Sequence, residues 1–181
     1  MKKALLVLFL IPLISLAGND NFHIGARNSG MGNTGLTLAD VWAIRYNQAA
    51  LADISQIAVG ISYESRFFTK SLGIQSFAFV LPTKSGTFGI NYTGFGDNLY
   101  RETKLGLGYG MKLSDKFNIG IRLNYHSLRL GNNYGKANNL TFEIGFVAKP
   151  TKNLEIGFHL FNPSAVKLND YQNEIIPVIM N

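Results

Sequence analysis

Three runs of sequence decide the fold: KFNIGIRLNYHSL at residues 116–128, LTFEIGFVAKP at 140–150 and LEIGFHLF at 154–161. In each run, apolar residues alternate with small or polar ones. A period of two places the two sets on opposite faces of a β-strand. In the first run one face holds Phe117, Ile119, Ile121, Leu123 and Tyr125, and the other holds Asn118, Gly120, Arg122, Asn124 and His126. Runs of about ten residues with this alternation are typical of transmembrane β-strands.

A water-soluble β-sandwich is the alternative, because its strands alternate as well. However, a sandwich would seldom place glycine, asparagine and charged residues on the face that forms its core. Charged residues are only 15% of the chain, against about 25% in soluble domains. The interior holds no run of 18 apolar residues, which excludes transmembrane helices there. The sequence therefore predicts an all-β fold, an antiparallel transmembrane β-barrel.

The same alternation extends over residues 56–181, with further strands predicted at about 56–63, 72–81, 87–95 and 103–113. Short turns at 83–86, 114–116 and 150–153 alternate with longer connections at 64–71, 96–102, 130–139 and 162–175. In outer-membrane barrels the short turns are periplasmic and the long loops are extracellular.

The predicted strand number is about seven, followed by a remnant at 175–181. Single-chain bacterial barrels have even strand numbers, and an open sheet edge is not viable in lipid. We therefore expect the chain to be about half of a longer barrel. The alternative is a complete eight-stranded barrel that uses residues 175–181 as a short final strand.

Residues 1–17 have the features of a secretory signal peptide. Lys2 and Lys3 precede an apolar stretch at 4–14, and Ser15-Leu16-Ala17 is a small-x-small cleavage site. A membrane anchor is the alternative, but this stretch is too short to span a bilayer and contains Pro12. The chain has no cysteine, which excludes a lipoprotein, disulfides and thiol chemistry. Together with the barrel pattern, the signal predicts the cell outer membrane as the location.

Residues 18–55 lack the alternation of the later strands and are predicted to form a hatch or plug segment. The alternatives are a disordered leader or a first strand. Within this segment stand Gly25-Ala26-Arg27, Gly30-Met31-Gly32, Ala39-Asp40 and Asn47-Gln48-Ala49.

This series resembles the N-terminal motif of the PorV/PorQ-type outer-membrane proteins of Bacteroidetes, which are distant relatives of the FadL fatty-acid transporters. Gln48 stands where the commoner motif has proline. The resemblance implies a FadL-like barrel of 14 strands with an N-terminal hatch inside its lumen. It implies that the hatch is built by Gly30, Met31, Gly32, Asn47, Gln48, Ala49 and Leu51.

A polar cluster of Arg122, Glu143 and His159 is predicted on the inner strand face. If the turn at 150–153 is tight, residues whose numbers sum to about 302 pair, which places Glu143 opposite His159. The preceding hairpin would place Arg122 or Asn124 opposite Glu143. The alternative interpretation is a polar wall of compensating charges that lines water or holds the hatch.

No catalytic residue is predicted, and the chain is not expected to be an enzyme. His126 and Ser127 are neighbours and point to opposite faces. Metal-ligand spacing and a Gly-Lys-Ser/Thr phosphate loop are both missing, so neither a metal nor a cofactor is predicted. The net charge of +6 is spread thinly, and no basic run is interleaved with aromatic residues, so nucleic acid is not an expected partner.

Three functions remain open from the sequence. The resemblance implies an accessory of type IX protein secretion, with secretion-system components or secreted cargo as partners. The alternative is a FadL-like transporter of small hydrophobic molecules. The third is a small, complete eight-stranded structural barrel. In each case outer-membrane lipid is the expected surrounding.

Overall fold

A computed structural model of the chain describes residues 24–65, 68–131, 135–166 and 176–181. The predicted signal peptide and the first residues of the predicted hatch lie outside these ranges. The described chain begins with two short helices, α1 (Ala26–Gly30) and α2 (Ala43–Tyr46), and a 3-10 helix, Gln48–Asp53. None of the described helices has the length and apolarity needed to cross a membrane.

Apart from a second 3-10 helix, Lys70–Leu72, the regular structure of the rest of the described chain is one antiparallel sheet whose strands lie side by side in chain order. The strands are β1 (Ala58–Ser65), β2 (Gly73–Pro82), β3 (Thr87–Gly96), β4 (Tyr100–Ser114), β5 (Phe117–Leu130), β6 (Gly135–Thr151), β7 (Leu154–Phe161) and β8 (Ile179–Met180). The prediction of an all-β, antiparallel fold is confirmed. The described sheet has eight strands rather than about seven, because two residues of the predicted remnant pair with β7. It does not close, since β1 and β8 are its two edges.

The central strands are longer than the sequence predicted. Strands β4, β5 and β6 contain 15, 14 and 17 residues, and 15 residues of strand span about 50 Å. Two of the predicted long loops are therefore mostly strand. The β3–β4 connection is residues 97–99 and the β5–β6 connection is residues 131–134. Short turns link β2 to β3 and β4 to β5, as predicted.

The alternation on β5 separates an exposed face from a buried one, as the sequence predicted. On the apolar side Phe117, Ile121, Leu123 and Tyr125 are between 43% and 57% exposed. On the polar side Asn118, Arg122, Asn124 and His126 are at most 7% exposed. We call the first side of the sheet the outer face and the second the inner face.

The inner face is covered by residues 24–55, which we call the N-terminal segment. Its buried apolar residues, Ala43, Ile44, Ala49, Ala50 and Leu51, form one cluster with Ala78, Val80 and Val147 of the sheet. Burying apolar surface in this way is the main force that holds such a layer in place. The apolar core of the described chain thus lies between the N-terminal segment and the sheet.

The register of the strands agrees with the prediction on one side of β6 and differs on the other. Arg122 lies directly opposite Glu143, which is one of the two pairings that the sequence left open; Asn124 lies opposite Thr141. The prediction that His159 lies opposite Glu143 is wrong, because His159 faces Gly145 and Glu143 faces Phe161. The register shifts between Ala148 and Thr151. This stretch contains Pro150, which has no N–H to donate and is usually found at such irregularities.

Candidate functional site

Seven inner-face glycines lie directly beneath the N-terminal segment. A Cβ added to any of them would come closer than 3.0 Å to an atom of that segment. They are Gly60 on β1, Gly89 on β3, Gly108 and Gly110 on β4, Gly120 on β5, Gly145 on β6 and Gly157 on β7. We call this set the glycine floor. Because glycine has no side chain, another backbone can approach it closely.

The closest approach is made by the 3-10 helix and by Asn47, the residue before it. Cβ atoms on Gly110 and Gly120 would overlap the backbone of Gln48, and one on Gly145 would overlap the side chain of Asn47. Earlier in the segment, Ile44 lies over Gly89 and Gly108. The floor is therefore shaped to the segment across most of the sheet.

Asn47 fixes the start of the 3-10 helix and attaches it to the sheet. Its Oδ1 accepts a hydrogen bond from the backbone N–H of Ala49 at 3.1 Å, which is the usual role of an N-cap residue. Its Nδ2 donates to the carbonyl oxygens of Phe146, at 3.0 Å, and of Leu36, at 2.9 Å. The side chain is fully buried, so one amide caps the helix and joins it to β6.

The carboxylate of Glu143 is the centre of the buried polar site. Oε1 lies 3.0 Å from Nη2 of Arg122 and 3.5 Å from Nζ of Lys104, and it accepts a hydrogen bond from Asn124 at 2.7 Å. Oε2 accepts from Gln48 at 2.7 Å and lies 3.0 Å from Nε2 of His159. We call Glu143 and these five neighbours the Glu143 cluster.

Strand geometry explains how these side chains meet. Arg122 faces Glu143 across the β5–β6 pair, and Asn124 is the next inner-face residue on β5. His159 lies opposite Gly145 rather than Glu143. The imidazole therefore reaches the carboxylate diagonally across the β6–β7 pair, at 3.0 Å. The structure therefore brings the three predicted residues together, although the predicted pairing of two of them is wrong.

The Glu143 cluster also joins the sheet to the N-terminal segment. Gln48 donates to Glu143 from the segment, and Arg122 donates to the backbone carbonyl of Ile44. The side chains of Arg122 and Glu143 are fully buried. A buried ion pair costs desolvation, and removing one partner leaves an uncompensated charge. The contacts among these side chains serve to fasten the segment.

The residues predicted to build the hatch fall into two groups. Asn47, Gln48, Ala49 and Leu51 are fully buried against the sheet. Gly30, Met31 and Gly32 lie at the end of α1 and beyond it, where Met31 is 46% exposed and a Cβ on either glycine would touch nothing within 4 Å. Contact with the glycine floor is made by residues 36–52.

A second attachment, at Asp53, was not predicted from the sequence. Oδ2 accepts hydrogen bonds from Lys149 at 2.5 Å and from Asn118 at 2.7 Å, and Oδ1 lies 3.2 Å from Nζ of Lys112. Burial alone would raise the pKa of Asp53, but the hydrogen bonds and charges of Lys149 and Lys112 outweigh burial and lower it. Asp53 thus fixes the end of the 3-10 helix to β4, β5 and β6.

Two parts of the site, Lys104 and the attachment at Asp53, were missed by the sequence analysis, and only the first has a signal in the sequence. Lys104 stands on the same strand parity as Gly106, Gly108 and Gly110, so its inner-face position could have been predicted. Two partners of Asp53, Asn118 and Lys149, are 65 and 96 residues away, and no local pattern indicates them.

His126 lies on the inner face, but the structure does not join it to Glu143. Its Nε2 is 2.9 Å from the hydroxyl of Thr141. Within the described ranges, no group of three or more His, Cys, Asp or Glu side chains is placed to hold a metal ion.

Comparisons of the chain with protein-family models, with curated proteins and with solved structures give no significant match. The PorV/PorQ-type resemblance of residues 24–52 therefore stays a prediction. The two-faced sheet, the glycine floor and the Glu143 cluster are the observations from which a function can be inferred.

Proposed function

We propose that this chain is an outer-membrane β-barrel protein of the PorV/PorQ type, plugged by its N-terminal segment, that acts as an accessory of type IX protein secretion or in another envelope role. The observation that carries this proposal is the polarity of the sheet. The outer face exposes the large apolar side chains, while the inner face buries polar ones. Exposed apolar patches of this kind mark surfaces that are covered by lipid or a partner, and lipid-facing strands of barrels are apolar outside and polar inside.

The fit between the N-terminal segment and the sheet favours a fixed plug. The segment touches glycines on six strands and is fastened at the Glu143 cluster and at Asp53. To open a path along the inner face, the segment would have to leave Arg122 and Glu143, which would break the buried hydrogen bonds from Gln48 to Glu143 and from Arg122 to the carbonyl of Ile44. A plugged interior supports binding of proteins at the loops more than passage of small molecules.

The long-loop end offers exposed apolar residues for such binding. Phe68 is fully exposed and Leu99 is 63% exposed. Both follow strands at the end opposite the short turns, and exposed aromatic residues are frequent anchors in protein interfaces. In this proposal secretion-system components or secreted cargo proteins are the partners at this end.

A FadL-like transporter of small hydrophobic molecules is the alternative within the same class, and it requires the N-terminal segment to move. The complete eight-stranded barrel is not supported by the described sheet, whose edge strands β1 and β8 do not pair with each other.

The proposal is tested by fractionating cells that express the full chain with a tag. We expect the chain in the outer-membrane fraction, released by detergent but not by carbonate, and cross-linked through its loops to secretion-system proteins identified by mass spectrometry. A Phe68→Ser variant should keep the location and lose the cross-link. Recovery as a detergent-free monomer would refute the membrane placement. Flux of a hydrophobic molecule into liposomes, with no secretion partner captured, would favour the transporter.

A further inference from the structure

We infer that the short-turn end of the sheet carries a binding surface for the phosphate groups of anionic phospholipids, formed by Lys84, Lys116 and Lys152. The inference rests on the proposed function, because it requires the outer face to lie in a bilayer. It adds a lipid class to that proposal.

Each of the three lysines occupies a different short turn at the same end of the sheet. Lys84 follows β2, Lys116 follows β4 and Lys152 follows β6. Successive turns on one edge are two strands apart, which is about 10 Å at the usual strand spacing. All three residues are exposed. They therefore form a row along the short-turn end of the sheet rather than a single cluster.

The row borders the apolar outer face directly. Leu81, Leu113, Phe117 and Leu154 lie within three residues of the lysines and are between 39% and 60% exposed. If hydrocarbon covers these side chains, the adjacent turns stand at the level of the lipid headgroups. Lysine at that level extends its ammonium group toward phosphate while its methylene chain stays on apolar surface.

Most of the acidic side chains at this end of the sheet form ion pairs with lysines other than these three. Asp53 pairs with Lys112 and Lys149 at 3.2 and 2.5 Å, and Glu155 pairs with Lys149 at 3.6 Å. Lys112 and Lys149 are inner-face residues, so these pairs point away from the lipid side. Lys84, Lys116 and Lys152 form no ion pair with any described residue, and Asp115 is the sole acidic residue in the described part of these turns.

At the opposite end of the sheet, the charged side chains that the structure describes are balanced. They are Arg101, Arg129 and Lys136 together with Glu64, Asp97 and Glu102, so three cations stand with three anions. At the short-turn end the described charged side chains are five lysines together with Asp53, Asp115 and Glu155, which leaves an excess of two positive charges. Charge complementarity therefore favours an anionic lipid at the short turns.

The test measures lipid selectivity of the full chain reconstituted in bilayers. Electron spin resonance of spin-labelled phosphatidylglycerol and spin-labelled phosphatidylcholine reports the fraction of each lipid that is immobilised by the protein. A lysine near an anionic surface contributes about fivefold in affinity at low salt. Averaged over all lipids around the chain, we expect about a twofold preference for phosphatidylglycerol, reduced at high salt.

A triple variant, Lys84→Gln, Lys116→Gln and Lys152→Gln, should abolish that preference and immobilise as much phosphatidylcholine as the parent chain. The matched control, Arg101→Gln, Arg129→Gln and Lys136→Gln, removes three exposed cations from the other edge and should keep it. Free inorganic phosphate at millimolar concentration should not compete.

Equal immobilisation of both lipids by the parent chain would overturn the inference and leave the proposed function standing. Equal loss in both triple variants would also overturn it, because the preference would then not reside at the short turns. If neither lipid is immobilised, the proposed membrane placement itself fails.

Discussion

Glu143 is the residue on which the buried polar site depends. One carboxylate contacts side chains from β4, β5 and β7 and from the N-terminal segment. Because it and Arg122 have no exposed side-chain surface, neither charge can be compensated by water if the other is removed. A single substitution of either residue should therefore lower the free energy of unfolding by more than the small change in side-chain volume suggests.

We expect Glu143→Gln to destabilise the chain by about 3–5 kcal/mol, since it leaves Arg122 buried without a counter-ion. Unfolding by urea can be followed through Trp42, the single tryptophan, which packs against Gly25 and Gly60. Glu155→Gln is the matched control. Its side chain is 43% exposed and 3.6 Å from Lys149, so it should cost about 0–1 kcal/mol. Equal losses in the two variants would contradict the central role of Glu143.

Asp53 should make the attachment of the N-terminal segment sensitive to acid. Its folded pKa lies below the ordinary value of 3.8, so the ionised form is favoured in the folded chain. The resulting stability is fully present above about pH 4 and is lost as the pH falls through the folded pKa. Limited proteolysis of residues 36–53 between pH 6 and 2.5 should show this loss in the parent chain.

In Asp53→Asn the proteolysis of this segment should be faster at neutral pH and should change less over the same acid range. Asp115→Asn removes a carboxylate from the same edge that has no described ion-pair partner, and it should behave like the parent chain. An unchanged acid response in Asp53→Asn would show that other carboxylates control the segment.

At the scale of elements, the N-terminal segment and the glycine floor are complementary surfaces. The segment has little regular structure of its own, with helices of five, four and six residues, too short to be stable alone in water. Its conformation is therefore set by the sheet, through the cap at Asn47 and the close approach of Gln48 to Gly120.

Gly120→Ala should displace the segment. The new methyl group would overlap the backbone of Gln48 and Ala49, which cannot move aside as a flexible side chain could. Overpacking of this kind costs about 1–3 kcal/mol. We expect faster proteolysis within residues 36–53 and a shift of the Trp42 emission. Gly30→Ala, whose Cβ would touch nothing within 4 Å, should have no such effect. Identical behaviour of the two variants would mean that the floor does not hold the segment.

Some features of the sheet and the N-terminal segment could be predicted from the sequence, and others could not. Alternation on β5 was sufficient to assign its two faces, because a period of two has a direct geometric meaning. The β6–β7 register was not predictable from turn length, since it depends on the irregularity between Ala148 and Thr151. Glycines were visible on the inner parity of β4, but their use as a floor depends on a segment about 60 residues earlier. The long-range contacts of Asp53 had no local signal at all.

At the scale of the whole molecule, the central question is what covers the outer face. A lipid-covered face should reject charge near its middle and tolerate it at the edge. We expect Leu123→Arg, halfway along β5, to cost about 2–4 kcal/mol in bilayers, and Leu113→Arg, beside the short turn, about 0–1 kcal/mol. Both residues are similarly exposed, at 53% and 60%, so they form a matched pair.

Denaturant unfolding in phospholipid vesicles gives the two free energies. Near-neutral effects at both positions would indicate that water reaches the outer face. A large cost at both would indicate instead that a protein layer covers the whole face.

The breadth of the glycine floor has a consequence for the order of assembly. Residues 36–53 leave the ribosome before any strand of the sheet, yet their binding surface is spread from β1 to β7. They can make all of their contacts with the glycine floor only after the last of these strands has paired. Contacts between distant parts of a chain form slowly. Until then residues 36–53 lack a complete binding surface, so their final docking requires that the hairpins of the sheet have formed in the correct register.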